Sequence, residues 1–174
     1  ATYLIPWEIA VKHGKALGVM CSYNRVNGLP SCANPVAQQI LKDWKFDGYV
    51  TSDTDSCQDV WKGHKVVKTP EEAVKACLDG NTNIDSGIGK SSTYKASLVS
   101  AYKKGIITRD DIDHALYKSY EARMRVGLFD AKDEDSNSYN KIKTDVVGSK
   151  VHVEHSKIAA KKSMVLLKNE NNVL

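Results

Sequence analysis

The sequence lacks any apolar run near the roughly 18 residues that a membrane-spanning helix needs. Its longest greasy stretches, such as Met164 to Leu167, are strand-length, so no membrane partner is expected. It also lacks a stripe of one charge. The 25 Lys and Arg stand against 21 Asp and Glu, a formal net charge of +4, and because Lys and Glu are interspersed no nucleic-acid partner is implied. Cysteine is sparse: Cys21, Cys32, Cys57 and Cys77 are too few and too scattered for a disulfide scaffold, and they lack the paired spacing of a zinc site, so no metal is expected. No serine sits in a nucleophile elbow. Gly87-Ile88-Gly89-Lys90 is too short for either nucleotide-binding fingerprint. An initiator Met, a basic leader and a signal-like apolar segment are missing from the opening Ala-Thr-Tyr-Leu-Ile-Pro-Trp, as in a mature or internal segment.

What is present is ordinary globular composition over 174 residues, 41% hydrophobic and 26% charged, which argues against disorder. Helical and strand-like segments alternate along it. Residues 7–16 suit a half-buried helix, and Val19 to Ser22 a short buried strand. The loop Tyr23 to Ala33 contains the turn formers Asn27-Gly28 and Pro30, and Asn34-Pro35 reads as the cap and first residue of a helix to about Trp44. Cys21 and Cys32 flank this loop; they are bridged if it folds back and free if it does not. Tyr49 to Asp53 is a second strand. Thr69, Pro70 and Glu72 make a capping box for a helix over 70–79 that Gly80 ends. Asn81 to Asp85 reads as a third strand, followed by helices over 92–104 and from Thr108 to about Val126. Residues 131–150 are polar and read as a linker, before a helix over about 152–163 and a strand from Met164 to Lys168.

Strands separated by helices of ten or more residues imply parallel pairing, hence an α/β fold. Three such units do not close a barrel, and a last strand with nothing to cover it makes no domain alone, so the chain is expected to be a fragment. In parallel α/β folds functional groups lie just past the C-terminal ends of strands. That rule selects Tyr23-Asn24-Arg25, Asp53-Thr54-Asp55 and Asp85-Ser86. Asp53 is the strongest candidate, because the preceding strand holds it at the mouth of a crevice; the alternative is a capping or loop carboxylate. Asp55 would share its face if the strand continued, which suggests an acid/base pair, but a turn rotates it away. Tyr23 is a candidate ligand contact or half-buried packing. His64, in a loop with Trp61 and Lys65, reads as solvated or packed, and His13, His114, His152 and His155 as surface.

Taken together, Met20-Cys21-Ser22-Tyr23-Asn24-Arg25-Val26-Asn27-Gly28, Phe46 to Asp53, Thr69 to Ala73, Arg123 to Asp130 and Ser163 to Asn169 occur in an order that resembles family 3 glycoside hydrolases over essentially the whole chain. The branch looks like the β-xylosidase and arabinofuranosidase-type members, with β-glucosidases as wider kin. This resemblance implies a (β/α)₈ (TIM-type) barrel followed by an α/β sandwich. Residues 1–130 would then be the C-terminal part of the barrel, 131–150 the interdomain linker and 151–174 the start of the sandwich. It implies a retaining exo-glycosidase that hydrolyses β-linked xylosides or glucosides, as in xylan degradation, with Asp53 as nucleophile and Tyr23 lining the sugar subsite. The acid/base would lie beyond Leu174, and no metal or organic cofactor would be required. The implied partners are an oligosaccharide or an aryl or alkyl glycoside and the remainder of the same polypeptide; the implied location is secreted or in an acidic organelle. Thr54 stands where close relatives often carry Cys, a departure that changes what can cross-link this loop. The competing reading is a non-catalytic carbohydrate-binding or structural fragment.

Overall fold

The computed structural model describes residues 2–130 and 138–172. The chain divides into two compact units, Ala1–Phe129 and Asp130–Leu174. In the first, the elements run α1 (Ile5–Lys12), β1 (Gly18–Cys21), β2 (Arg25–Val26), β3 (Leu29–Pro30), α2 (Pro35–Asp43), β4 (Tyr49–Ser52), α3 (Ser56–Asp59), α4 (Pro70–Asp79), α5 (Thr93–Lys103) and α6 (Arg109–Arg125). Helix joins strand to strand, and the class is α/β.

Local chemistry starts and stops the helices. The Asn34 side chain accepts from the Val36 amide at 2.9 Å, with Pro35 in the first turn of α2. Thr69 with Glu72, and Thr108 with Asp111, form reciprocal capping boxes at α4 and α6, satisfying amides that have no partner inside the helix. α1 starts and ends earlier than the expected 7–16. Pro6 lies in its first turn, and the chain reverses where Lys15 takes a left-handed φ of 53°.

β1 and β4 pair in parallel, Gly18 opposite Tyr49 through Cys21 opposite Ser52. The Tyr49 amide donates to the Leu17 carbonyl at 3.0 Å. A Cβ on Gly48 would lie 2.0 Å from that carbonyl oxygen, and only glycine permits this approach. The expected third strand, Asn81 to Asp85, is not formed as such; one parallel bridge joins Thr51 to Ile84. Asparagine explains the difference. The Asn83 side chain, rather than a backbone carbonyl, accepts from the Val50 amide at 2.7 Å, and the Asn83 and Ile84 amides both donate to the Val50 carbonyl. The ladder therefore closes on a side chain instead of extending. Even so, the segment runs along β4 on the side away from β1.

The core between sheet and helices gathers Val11, Leu41, Val50, Val60 and Ala73 with all four cysteines, while Val74, Ala101 and Ile107 make a second cluster where α4 meets α5. Cys57 and Cys77 are free thiols with no exposed surface. The hydrogen bond that the Cys57 thiol makes to Cys77, and then burial, push that thiol up. α6 is tied to the turn before β4, where Lys118 and Arg125 both reach Asp47, at 3.1 and 2.6 Å.

In the second unit, α7 (Lys150–Ser163) is capped by Ser149 and preceded by single helical turns at Ser138–Lys141 and Thr144–Val146. The polar run 133–137 of the expected linker lies outside the described residues. The expected strand at Met164 to Lys168 is not one: Met164 is extended, but no strand pairs with this stretch among the described residues, and backbone without a neighbour makes no ladder. Among the described residues no helix is long and apolar enough to cross a membrane.

Glu71 on α4 is nearly buried and accepts from Lys104, 2.5 Å away, and from Ser100 at 2.6 Å. Lys104 first, then Ser100, lower its carboxyl to about 2 from the usual 4.5. A carboxyl lowered on folding stabilises the fold fully above the unfolded value, and the contribution is lost as pH falls through the folded one. In the intact protein, Glu71→Gln should cost about 1 to 2 kcal/mol at pH 7 and less near pH 2. Urea unfolding at both pH values measures this; equal losses would mean that the charge does not hold α4 to α5.

Candidate active site

The parallel register places the C-terminal ends of β1 and β4 side by side, so the chain leaves both strands at the same edge. The Asp53 amide continues the pairing by donating to the Cys21 carbonyl at 3.1 Å. Beyond that point the backbone turns sharply. The Ser56 amide and hydroxyl both donate to the Asp53 carbonyl, at 3.1 and 3.0 Å, and Asp55 adopts a left-handed φ of 65° before α3. The Asp53 carboxylate stays half-buried at the strand end. Its Oδ1 accepts the Thr54 amide at 2.7 Å, and Oδ2 has no hydrogen-bond partner among the described residues. One oxygen is thus held by a backbone amide, and the other is open to a ligand.

The turn that fixes Asp53 carries Asp55 elsewhere, as the spacing argument anticipated. Asp55 Oδ1 accepts from the Ser91 hydroxyl and, at 3.4 Å, from the Ile88 amide, which links the loop after β4 to the loop that follows Ile84. The third selected place is also structural. Both Asp85 oxygens are occupied: Oδ1 takes the Ser52 hydroxyl and the Gly87 amide, and Oδ2 takes the Ser92 hydroxyl and the Tyr94 amide at 2.9 Å. Asp85 fastens the start of α5 to the end of β4.

After β1 the sequence forms a hairpin rather than an open loop. β2 and β3 pair through Asn27 and Gly28, both at positive φ (51° and 89°), which is the two-residue turn whose twist suits antiparallel strands. The disulfide Cys21–Cys32 closes the base of the hairpin, with Cα atoms 5.1 Å apart, so the open question of these thiols resolves as a bridge. Tyr23 lies just inside that base and is 44% exposed. Its phenol donates to the Thr54 carbonyl, joining the hairpin to the loop that carries Asp53. Partial burial, followed by the charges of Asp53, Asp55 and Asp59, raises the phenol above its ordinary range. Tyr23 therefore stands beside the carboxylates as a neutral hydroxyl.

His64 also belongs here: it is half-buried, as a partly solvated, packed histidine would be, but it is held by specific partners. One ring nitrogen lies 2.8 Å from the Tyr23 carbonyl, and Arg25 donates to the other at 3.2 Å. No periodicity marks it, because its partners lie 39 and 41 residues away. A hollow lined by Leu17, Gly18, Tyr49, Ile84, Ser119 and Ala122 lies at the opposite, leading ends of the strands and has no part in this site.

The fold and site together define one class: parallel α/β chains that hold a carboxylate and an aromatic hydroxyl past their strand ends. The glycosyl hydrolase family 3 N-terminal domain matches residues 1–120, and the chain belongs to that family. It is 35% identical to "Probable beta-D-xylosidase 7" of Arabidopsis thaliana over 99% of this chain and 22% of that protein. It is 37% identical to "Beta-xylosidase/alpha-L-arabinofuranosidase 2" of Medicago sativa subsp. varia over 97% of this chain and 21% of that one. A solved GH3 exo-β-xylosidase in complex with a xylobiose aziridine activity-based probe superposes with a TM-score of 0.75 at 30% identity, covering 91% of this chain and 20% of that structure. The chain thus spans about a fifth of the length of these relatives.

The disulfide holds the hairpin in place with a loop of 11 residues' separation, for which loop-closure entropy gives about 2 to 3 kcal/mol. Cys32→Ala in the intact protein, or reduction with dithiothreitol, should lower the denaturation midpoint accordingly. An unchanged midpoint on reduction would show that the bridge adds nothing to hairpin order.

Proposed function

We propose that this chain supplies the nucleophile-bearing part of a retaining exo-glycosidase acting on β-linked xylosides or glucosides, with Asp53 as the nucleophile. The observation that carries this reading is the Asp53 carboxylate, held at a buried strand end with Oδ1 on the Thr54 amide. Oδ2 attacks the anomeric carbon as the bond to the leaving sugar breaks. The electron pair of that bond departs with the leaving oxygen, which takes a proton from an acid outside this chain. The glycosyl ester on Asp53 is then hydrolysed by water that the same group, now a base, deprotonates. Asp53 must be ionised when the acid is protonated, so their environments must differ. No cofactor takes part.

Tyr23 orients the sugar with a hydroxyl that its neighbours keep protonated. Residues 1–130 form the C-terminal part of a (β/α)₈ barrel, 131–150 an interdomain linker and 151–174 the start of a sandwich domain. Support comes from the parallel β1–β4 pair with Ile84 alongside and from the division of the chain at Phe129. The partially exposed face of that pair, including Met20 at 51% exposure, would be covered by the remaining strands of the same polypeptide. The Cys21–Cys32 bridge supports a secreted or organellar location.

A slow fluorinated β-xyloside or β-glucoside given to the full-length enzyme should label the peptide that contains Asp53. Asp53→Asn should reduce kcat by several orders of magnitude, while Tyr23→Phe should act mainly on KM. Labelling elsewhere, or unaltered turnover in Asp53→Asn, would refute the assignment. Residues 1–174 expressed alone should show no aryl-glycoside hydrolysis, since the acid and most of the subsite are supplied from outside; turnover abolished by Asp53→Asn in that fragment would overturn this.

A further inference from the structure

We infer that His64 is a positioning residue for the sugar-binding edge of this site, acting through the peptide of Tyr23. The inference rests on the glycosidase reading and adds to it a residue that touches neither substrate nor reacting atoms. Arginine has donors and no acceptor, so the 3.2 Å contact from Arg25 Nε requires His64 Nδ1 to accept. In the neutral ring the hydrogen then sits on Nε2, and Nε2 donates to the Tyr23 carbonyl, 2.8 Å away. The two contacts demand the same tautomer, which makes the arrangement self-consistent.

Arg25 makes a second contact, from its terminal nitrogen to the His64 carbonyl at 2.7 Å. A single guanidinium on β2 thus grips both the ring and the backbone of His64. The loop that presents His64 is itself wound tightly. The His64 amide donates to the Asp59 carbonyl at 2.6 Å, the Val66 amide to the Val60 carbonyl at 3.1 Å, and Lys65 takes a left-handed φ of 54°. His64 is therefore a rigid post anchored behind α3, and the hairpin leans on it.

Tyr23 needs such a post. At 44% exposure it is not held by core packing, and the disulfide fixes Cys21 two residues earlier but not the Tyr23 peptide. Its two polar anchors are the phenol on the Thr54 carbonyl and the main-chain carbonyl on His64. With one anchor removed, the ring can pivot about the other. Asp53 is unaffected, because its own partners are Thr54, Ser56 and Cys21. Loss of His64 should consequently weaken substrate positioning and spare bond breaking, a split that general destabilisation of the fold would not produce.

The test is steady-state hydrolysis of an aryl β-xyloside, or the aryl β-glucoside if that is turned over faster, by the full-length enzyme. His64→Ala should raise KM about fivefold, the worth of one net hydrogen bond, with kcat within about twofold of the parent. His64→Gln, whose amide can donate to Tyr23 and accept from Arg25, should recover most of the KM. In a Tyr23→Phe background His64→Ala should raise KM by clearly less than in the parent, since both changes release the same side chain. Unchanged KM in His64→Ala, or an equal loss in the Ala and Gln variants, overturns the inference while leaving Asp53 in its role. If His64→Ala does not fold, Arg25→Ala is measured in its place: a KM rise of similar size supports the inference and an unchanged KM overturns it. Undiminished turnover in Asp53→Asn would instead bring down the glycosidase reading, and the inference with it.

Discussion

The register between β1 and β4 is the constraint on which the site depends. It is set where the Tyr49 amide reaches the Leu17 carbonyl across Gly48 and is carried on by the Asp53 amide on the Cys21 carbonyl. A slip of one residue would turn Val50 and Ser52 outward and bring Tyr49 and Thr51 into the core. It would also part the two strand ends, and with them the hairpin and the carboxylate loop. A single backbone approach, made possible by one missing Cβ, thereby decides whether Tyr23 and Asp53 meet.

Around that register, short polar side chains carry much of the assembly. Asn83 completes the ladder of β4, Ser52 and Ser92 converge on Asp85, and Ser56 closes the turn under Asp53. Buried hydroxyls and amides of this kind are costly if left unpaired, so each specifies one loop conformation as well as adding strength. The loops after β1, β4 and Ile84 are joined in sequence through Tyr23 with Thr54 and through Asp55 with Ser91. The site edge behaves as one connected rim.

How much of this could be read from the chain depended on the distance between the groups involved. The caps at Asn34, Thr69 and Thr108 were legible because donor and acceptor lie within three residues, and so were the helices they start. That Asp53 stands just past a strand end was legible from the strand-like segment before it. The Asn27-Gly28 turn was visible, though not the pairing of β2 with β3, since strands of two residues carry no periodicity. Asn81 to Asp85 misled because its composition suits an extended segment while a side chain does the bonding. Met164 to Lys168 misled because apolarity alone cannot supply a neighbour. His64 was hidden most completely: nothing near it in the sequence announces a contact 41 residues back.

The two unbridged cysteines have a practical consequence. Cys57 follows the carboxylate turn and Cys77 lies on α4, both wholly enclosed and hydrogen-bonded together. A thiol that is wholly enclosed is silent toward iodoacetamide or maleimide, and Cys57 is in addition reluctant to ionise. The same thiols become reactive once the layer between α3 and α4 opens. Since the loop bearing Asp53 rests on that layer, the rate of alkylation reports how often the floor beneath the carboxylate breathes, and the chain carries this probe without any label being introduced.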